Sequence, residues 1–398
     1  MKQLSIGVTC FGLFWAIWVC DTHGQNTQPR SLARSLELSG RNASQLKAAI
    51  ALCRGSELER KSIDFLVRHM PVDDLKALSA SYLTETVQLA IQARNQTVWA
   101  QAVPEAVFLN DVLPYASINE RRDRWRKDFH QKFFPLVKDC RTTGEAAQEL
   151  NKHVFSILKV KYSTQRKKPD QSPYESMETG LASCTGLSVI LADACRSVGV
   201  PARLAGTPLW VNKRGNHTWV EVWDEGQWKF TGACEYNASG LNRGWFAGIA
   251  SQADSSRPEH RIYATSFRQT ALYFPMVWKQ GSKAVPGLDV TGRYTQKQEP
   301  KNPKSVVVGV QVYDDDGKRL SIAVQIFDAQ GKAVAKGMTR SISNDANDFW
   351  ELKLLPGKYK AKFQLDQRSL EQEFSVKERP NLIVKLSAID SSEKNPTK

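Results

Sequence analysis

The sequence holds only 7 cysteines and 6 histidines among 398 residues, and no two cysteines form a CxxC pair. The histidines do not group with cysteines at the spacing of tetrahedral zinc sites, so neither a metal centre nor a cofactor is expected. No calcium loop of the D-x-[DN]-x-[DN]-G type stands out, and the run Asp314-Asp315-Asp316-Gly317 reads as a hairpin turn. Acidic residues are in deficit, 41 against 55 basic, for a net charge of +14. Such a surplus attracts anionic surfaces in general, so an anionic cell-envelope surface is one candidate partner. The basic clusters at 121–127 and 166–168 are short and read as solvated faces. With no nucleic-acid-binding motif around them, no nucleic-acid partner is predicted. Long apolar runs are also missing. The longest, residues 4–19, falls short of the roughly 20 residues a membrane-spanning helix needs.

What is present begins at that run. Lys2, the apolar stretch 4–19 and the polar residues after Cys20 have the order of a secretory signal peptide, with cleavage after Gly24. The chain is therefore expected to be exported to a periplasmic or extracellular space. Retention as a membrane anchor is the alternative. Cleavage would leave Cys53, Cys140, Cys184, Cys195 and Cys234. Five is odd, and an odd cysteine in an oxidising compartment is a candidate free, reactive thiol.

Further along, residues 25–103 carry apolar residues at helical intervals and read as a helical N-terminal region. The helical pattern continues through 104–160, with Trp125, Phe129, Phe133 and Val137 as core candidates. A polar, proline-containing loop spans 162–173. The apolar segment 187–198 follows Ser183-Cys184-Thr185-Gly186 and ends at Gly199 and Pro201, as a helix would. Residues 202–206 and 217–223 read as strands, and Asp224-Glu225-Gly226 turns the chain into a return strand at Trp228. Residues 281–304 are rich in glycine, proline, lysine and glutamine and read as a linker. Short alternating strands with Asp-Gly-type turns over 305–388 predict a β-sandwich, and 389–398 a disordered tail.

Cysteine is a strong nucleophile only as thiolate, which a helix N-terminus favours through its unpaired N–H groups and dipole. Cys184 opens the helix that Gly199 stops. His217 begins a strand 33 positions later (217 − 184). A histidine on a strand beside a cysteine at a helix start is the geometry of a Cys–His pair. Cys184 would be the nucleophile and His217 its base.

The blocks that surround the pair strengthen this reading. Ala182-Ser183-Cys184-Thr185-Gly186, then Gly199-Val200-Pro201-Ala202-Arg203, then His217-Thr218-Trp219-Val220-Glu221-Val222, then Gly226-Gln227-Trp228 stand in order. Together they resemble the core of the transglutaminase-like superfamily, over roughly residues 150–250 within a domain at 104–280. The resemblance implies a papain-like fold, an acyl-thioester intermediate and chemistry on amide groups of a protein or peptide. It also implies a third catalytic residue, an Asp four positions after the tryptophan. That position is Gly232 here. Glu235 is the first substitute as orienter of His217 and Thr231 the second. The segment Leu354-Leu355-Pro356-Gly357-Lys358-Tyr359, with the Asp-Gly turns, resembles carboxypeptidase-regulatory or prealbumin-like modules.

The expectation is an α+β protein in three parts: a helical N-terminal region, a papain-like transglutaminase core with a helix packed on an antiparallel sheet, and a C-terminal β-sandwich. Its expected function is that of an exported thiol enzyme of acyl transfer or amide hydrolysis. The alternatives are a catalytically inactive binding module on the same fold, and a cell-envelope adhesion protein that uses the sandwich.

Overall fold

The computed structural model describes residues 29–295, 305–365, 368–377 and 382–387. The expected signal peptide at 1–24 and the tail at 389–398 lie outside the described residues. Among those described, no helix is long and apolar enough to cross a membrane.

Helices at Leu32–Leu38, Ala43–Leu52, Glu57–His69, Val72–Ala77 and Ala80–Asn95 pack around their own core of Leu46, Leu66, Leu75, Leu83 and Val87. The third of them shows how locally such a helix is specified. Ser56 and Glu59 form a capping box, and the apolar residues Ile63, Phe65, Leu66 and Val67 fall on the buried face. This region is stapled to the next by the buried Arg126, which donates to the carbonyls of Val112, Leu113 and Pro114 on one side and of Arg196 on the other.

The central unit is built from α1 (Trp125–Val137), α2 (Thr143–Leu158) and α3 (Cys184–Ser197). α2 and α3 pack against a six-stranded antiparallel sheet, and α1 packs on both of these helices. The strands of the sheet are β1 (Ala202–Thr207), β2 (His217–Asp224), β3 (Gln227–Thr231), β4 (Tyr263–Thr265), β5 (Leu272–Tyr273) and β6 (Pro286–Asp289), in the spatial order β3-β2-β1-β4-β6-β5. Every residue of α3 from Thr185 to Ser197 is buried, which accounts for its apolar run. Gly199 closes it at φ 91°, a left-handed conformation that glycine adopts without strain. Register fixes the sheet around the site. Thr207 lies opposite His217, and Arg203 opposite Glu221. The β2–β3 hairpin turns through Glu225 and Gly226, both at positive φ, as the Asp-Glu-Gly sequence predicts.

The linker expected over 281–304 requires correction in its first half. β6 pairs with β4 and β5, and Val290 and Tyr294 are buried in the core, with Tyr294 on a short helix at Thr291–Thr295. Composition averaged over the segment hid a four-residue strand and two anchoring apolar side chains. Residues 296–304 lie outside the described residues.

The C-terminal unit is β-rich, as expected. β7 (Val306–Tyr313) pairs antiparallel with β8 (Arg319–Leu320) and β11 (Trp350–Leu354), and parallel with β14 (Leu382–Ser387). The second sheet runs β10 (Ala333–Met338), β9 (Ala323–Asp328), β12 (Gly357–Leu365), β13 (Arg368–Val376). Alternate residues Val306, Val308, Val310 and Val312 enter a core shared with Val324, Ile326, Ala361 and Phe363. The loop 339–349, between β10 and β11, leaves this sandwich and lies on the central unit.

Candidate active site

Cys184 occupies the first helical position of α3, half-buried, with Ser183 as N-cap. The Ser183 hydroxyl accepts from the Gly186 N–H at 3.0 Å and donates to the Pro169 carbonyl at 2.7 Å, so the helix start is fixed to the preceding loop. The first turn is also tied to the strand it faces. Thr185 and Thr218 share a hydroxyl hydrogen bond of 3.0 Å, and the Ser188 hydroxyl bonds to the Thr218 carbonyl at 3.2 Å. Thr218 follows His217, so these bonds set the cysteine against the histidine.

His217 is 2% exposed, inside a cage of Trp210, Trp219, Trp245 and Phe246, with ring centroids 4.8 to 6.1 Å from its own. A carboxylate from the sandwich enters this cage. Asp345 Oδ2 lies 3.4 Å from His217 Nδ1, an ion-pair distance longer than a well-formed hydrogen bond. One side-chain atom each of Cys184, His217 and Asp345 falls within 4.8 Å of the others. These are donor types that zinc also takes. Burial would drive the imidazole towards its neutral form. The Asp345 carboxylate and the Cys184 side chain outweigh that and hold its pKa well above the ordinary value.

The two sequence candidates for the third position are also placed. The Thr231 hydroxyl is engaged with Asn151 Nδ2 at 3.0 Å, within a set of bonds by which Asn151 also holds the Gly232 carbonyl and the Cys234 N–H. Glu235 is half-buried near His217, but its Oε1 accepts from Trp245 Nε1 at 3.0 Å. Its other oxygen fills the space beside Gly232, where an added Cβ would come within 1.9 Å of it. The carboxyl of Glu235 therefore occupies the volume that a side chain at position 232 would take.

Burial pushes the Glu235 carboxyl up to about 7. Unfolding releases its proton at any pH between the ordinary value of 4.5 and about 7, so the stability it contributes is complete in acid and lost as pH rises through 7. Glu235→Gln is expected to leave stability at pH 4 nearly unchanged and to raise it at pH 8 by on the order of 2–3 kcal/mol. Urea unfolding at the two pH values measures the difference, and equal gains at both would contradict the assignment.

Sequence reasoning missed Asp345, Tyr162 and Trp245. Tyr162 lies at the entrance of the sandwich loop, where its hydroxyl accepts from the Ala346 N–H at 3.0 Å. The only sequence signal for Asp345 is the polar run Asn344-Asp345-Ala346-Asn347-Asp348 between two strands, which reads as an ordinary loop. Among the described residues, Cys53, Cys140, Cys184, Cys195 and Cys234 are all free.

Comparison with known proteins finds similarity in part of the chain. Residues 133–231 match the model of the transglutaminase-like superfamily. No curated protein matched the sequence. Among solved structures, similarity is found to a protein from Cytophaga hutchinsonii described as a candidate cysteine protease, at 15% identity and TM-score 0.28, over 37% of this chain and 48% of that one. Similarity is also found to the Bacillus anthracis TIE protein, at 14% identity and TM-score 0.17, over 48% of this chain and 30% of that one. A C-terminal fragment of the pilus adhesin SpaC from Lactobacillus rhamnosus GG aligns at 10% identity and TM-score 0.16, over 47% of this chain and 88% of that one. The aligned part thus spans about half of the first of these proteins and under a third of the second. Residues 133–231 form a transglutaminase-like domain.

Proposed function

We propose that this protein is a thiol enzyme that cleaves or transfers acyl groups of amides, on a protein or peptide, through a thioester at Cys184. The observation that carries the reading is the placement of Cys184 at the start of α3, with a side-chain atom within 4.8 Å of one of a buried His217 whose pKa the Asp345 carboxylate holds above the ordinary value. An imidazolium beside a sulfur favours the thiolate, and so does the helix dipole. The sulfur attacks the amide carbon, and the C–N bond breaks as His217 gives its proton to the leaving amine. Water, or a second amine, then attacks the thioester and returns the sulfur, with His217 taking the incoming proton. The first N–H groups of α3 have no intrahelical acceptor and are suited to bind the oxyanion, although that of Gly186 is taken by Ser183. Export follows from the proposed signal peptide and would bring the enzyme to substrates outside the cytoplasm.

Alkylation separates Cys184 from the other thiols. Burial pushes Cys195 up to about 12 and raises Cys53. The half-buried Cys140 is pushed up to about 11 by desolvation and the carboxylates of Glu145 and Glu149, and the thiol of Cys234, an exposed residue, up to about 11 by desolvation and the adjoining Glu235. At pH 7, iodoacetamide is expected to label one of these five cysteines at least tenfold faster than the rest, and peptide mapping should place the label on Cys184. Cys184→Ala should remove that fast phase and any amide hydrolysis or amine incorporation with it. A wild-type chain whose Cys184 reacts no faster than Cys195 would refute the reading.

A further inference from the structure

Two carboxylates approach His217 from different domains. Glu235 comes from the loop after β3, in the space beside Gly232. Asp345 comes from the sandwich. We propose that Asp345, in the 339–349 loop of the C-terminal sandwich, is the positioning residue for His217, so that the site is shared between two domains and is incomplete without the sandwich. This rests on the Cys184 function proposed above.

The loop is built to hold that carboxylate in place. The Arg319 guanidinium donates to the main-chain carbonyls of Ser341, Asn344, Asp345, Ala346 and Asp348, which clamps the loop from within. The Asn347 N–H donates to Asp345 Oδ1 at 2.9 Å, leaving Oδ2 for the imidazole. Three contacts then fasten the loop to the central unit. Asn347 Nδ2 donates to the carbonyl of Asn216, the residue before His217, at 3.0 Å. The Ala346 N–H reaches Tyr162, and Arg214 pairs with Glu351 while its guanidinium covers Phe349 at 4.6 Å. A supporting group for a catalytic histidine needs this kind of locked geometry.

Charge separates the two carboxylates. The groups that face His217 are Cys184, Asp345 and Glu235; Arg319 and Asp348 lie behind them, with Tyr162 beside Cys184 and Asp345. Burial disfavours ionisation of both acids. In Asp345 it is outweighed by His217, the Asn347 N–H and Arg319, and the carboxyl stays below its ordinary range. Glu235 is left near 7. Asp345 is therefore the anion that faces the imidazolium across the working pH range.

The test is the rate of Cys184 alkylation by iodoacetamide against pH, in the full chain and its variants. Asp345→Asn keeps an oxygen for the Asn347 N–H and removes the charge. It is expected to slow alkylation at pH 7 at least tenfold, and to lower the pH at which 15N-labelled His217 titrates. Glu235→Gln should change the rate less than twofold. Asn347→Ala frees the loop from Asn216 while leaving Asp345 in the chain. It should give a several-fold loss, which keeps the question open to test if Asp345→Asn folds poorly. The proposal fails if Asp345→Asn and Asn347→Ala both match the wild type, if Glu235→Gln alone carries the loss, or if Asp345→Asn speeds alkylation. If the wild-type Cys184 shows no fast phase, the proposed function itself fails. An unchanged His217 titration in Asp345→Asn counts against Asp345 alone.

Discussion

Replacement of His217 by alanine is expected to slow alkylation of Cys184 at pH 7 by about 100-fold or more, and also to cost stability, because the buried Asp345 loses its counter-charge. The size follows from what the side chain does. In the proposed mechanism it is the group that takes the thiol proton, and its ring lies within the Trp210–Trp219–Trp245–Phe246 cage. Thr231 is held by Asn151, and one oxygen of Glu235 by Trp245. His217→Asn is the better control for packing, as it fills part of the cavity without a basic nitrogen. In strong alkali, where hydroxide removes the need for a base, the variants should approach the wild-type rate. A His217→Ala chain that is alkylated at pH 7 within threefold of wild type would show that Cys184 does not depend on this imidazole.

The second large effect concerns stability. Glu221, on β2 two residues from Trp219, is 2% exposed and accepts from three side chains. Arg203 binds it twice, at 2.7 and 2.8 Å, Arg293 at 2.9 and 3.1 Å, and the Tyr294 hydroxyl at 2.9 Å, while Trp219 Nε1 donates to that hydroxyl at 2.8 Å. Arg203 in turn lies over the Trp228 ring at 3.7 Å. The carboxylate is thus a junction that fastens the segment 291–295 to the sheet. Removing it leaves the 3% exposed side chain of Arg203 without a counter-charge. Glu221→Ala is expected to cost about 3–5 kcal/mol, read from the urea midpoint at constant slope. Burial alone would raise the Glu221 pKa, but the two arginines outweigh it and the value is lowered. The stability this supplies is present above about pH 4.5 and lost as pH falls through the lower folded value. The variant should therefore lose that part of the acid sensitivity as well. A cost below about 1 kcal/mol would mean that the network contributes little beyond local order.

These two cases mark how far the sequence could be read. The Arg203–Glu221 pair was accessible from strand alternation, since residues on adjacent antiparallel strands with the same facing meet when the register allows. The contributions of Arg293 and Tyr294 were not, because their segment had the composition of a linker. Cys184 and His217 were legible for local reasons. Ser183 caps a helix that Gly199 and Pro201 end, and the hairpin turn at 224–226 sets the phase of the strand that His217 begins. Gly232 was legible as a missing side chain in the pattern the blocks resemble. That a neighbour's carboxyl fills its space is a matter of packing.

The sequence by itself determined the α+β class, the helix start that presents the cysteine and the strand that presents the histidine. Each depends on signals within a few residues of one another: caps, turns and alternation. Only the tertiary structure decided which acid faces the imidazole. That choice depends on a loop of a separate domain, clamped by Arg319 and fastened through Asn347 to the residue before His217. It depends equally on burial, which leaves Glu235 near 7 while the partners of Asp345 keep it ionised. Neither long-range docking nor desolvation is written in any short stretch of chain, because both arise from groups that meet only once the domains have packed.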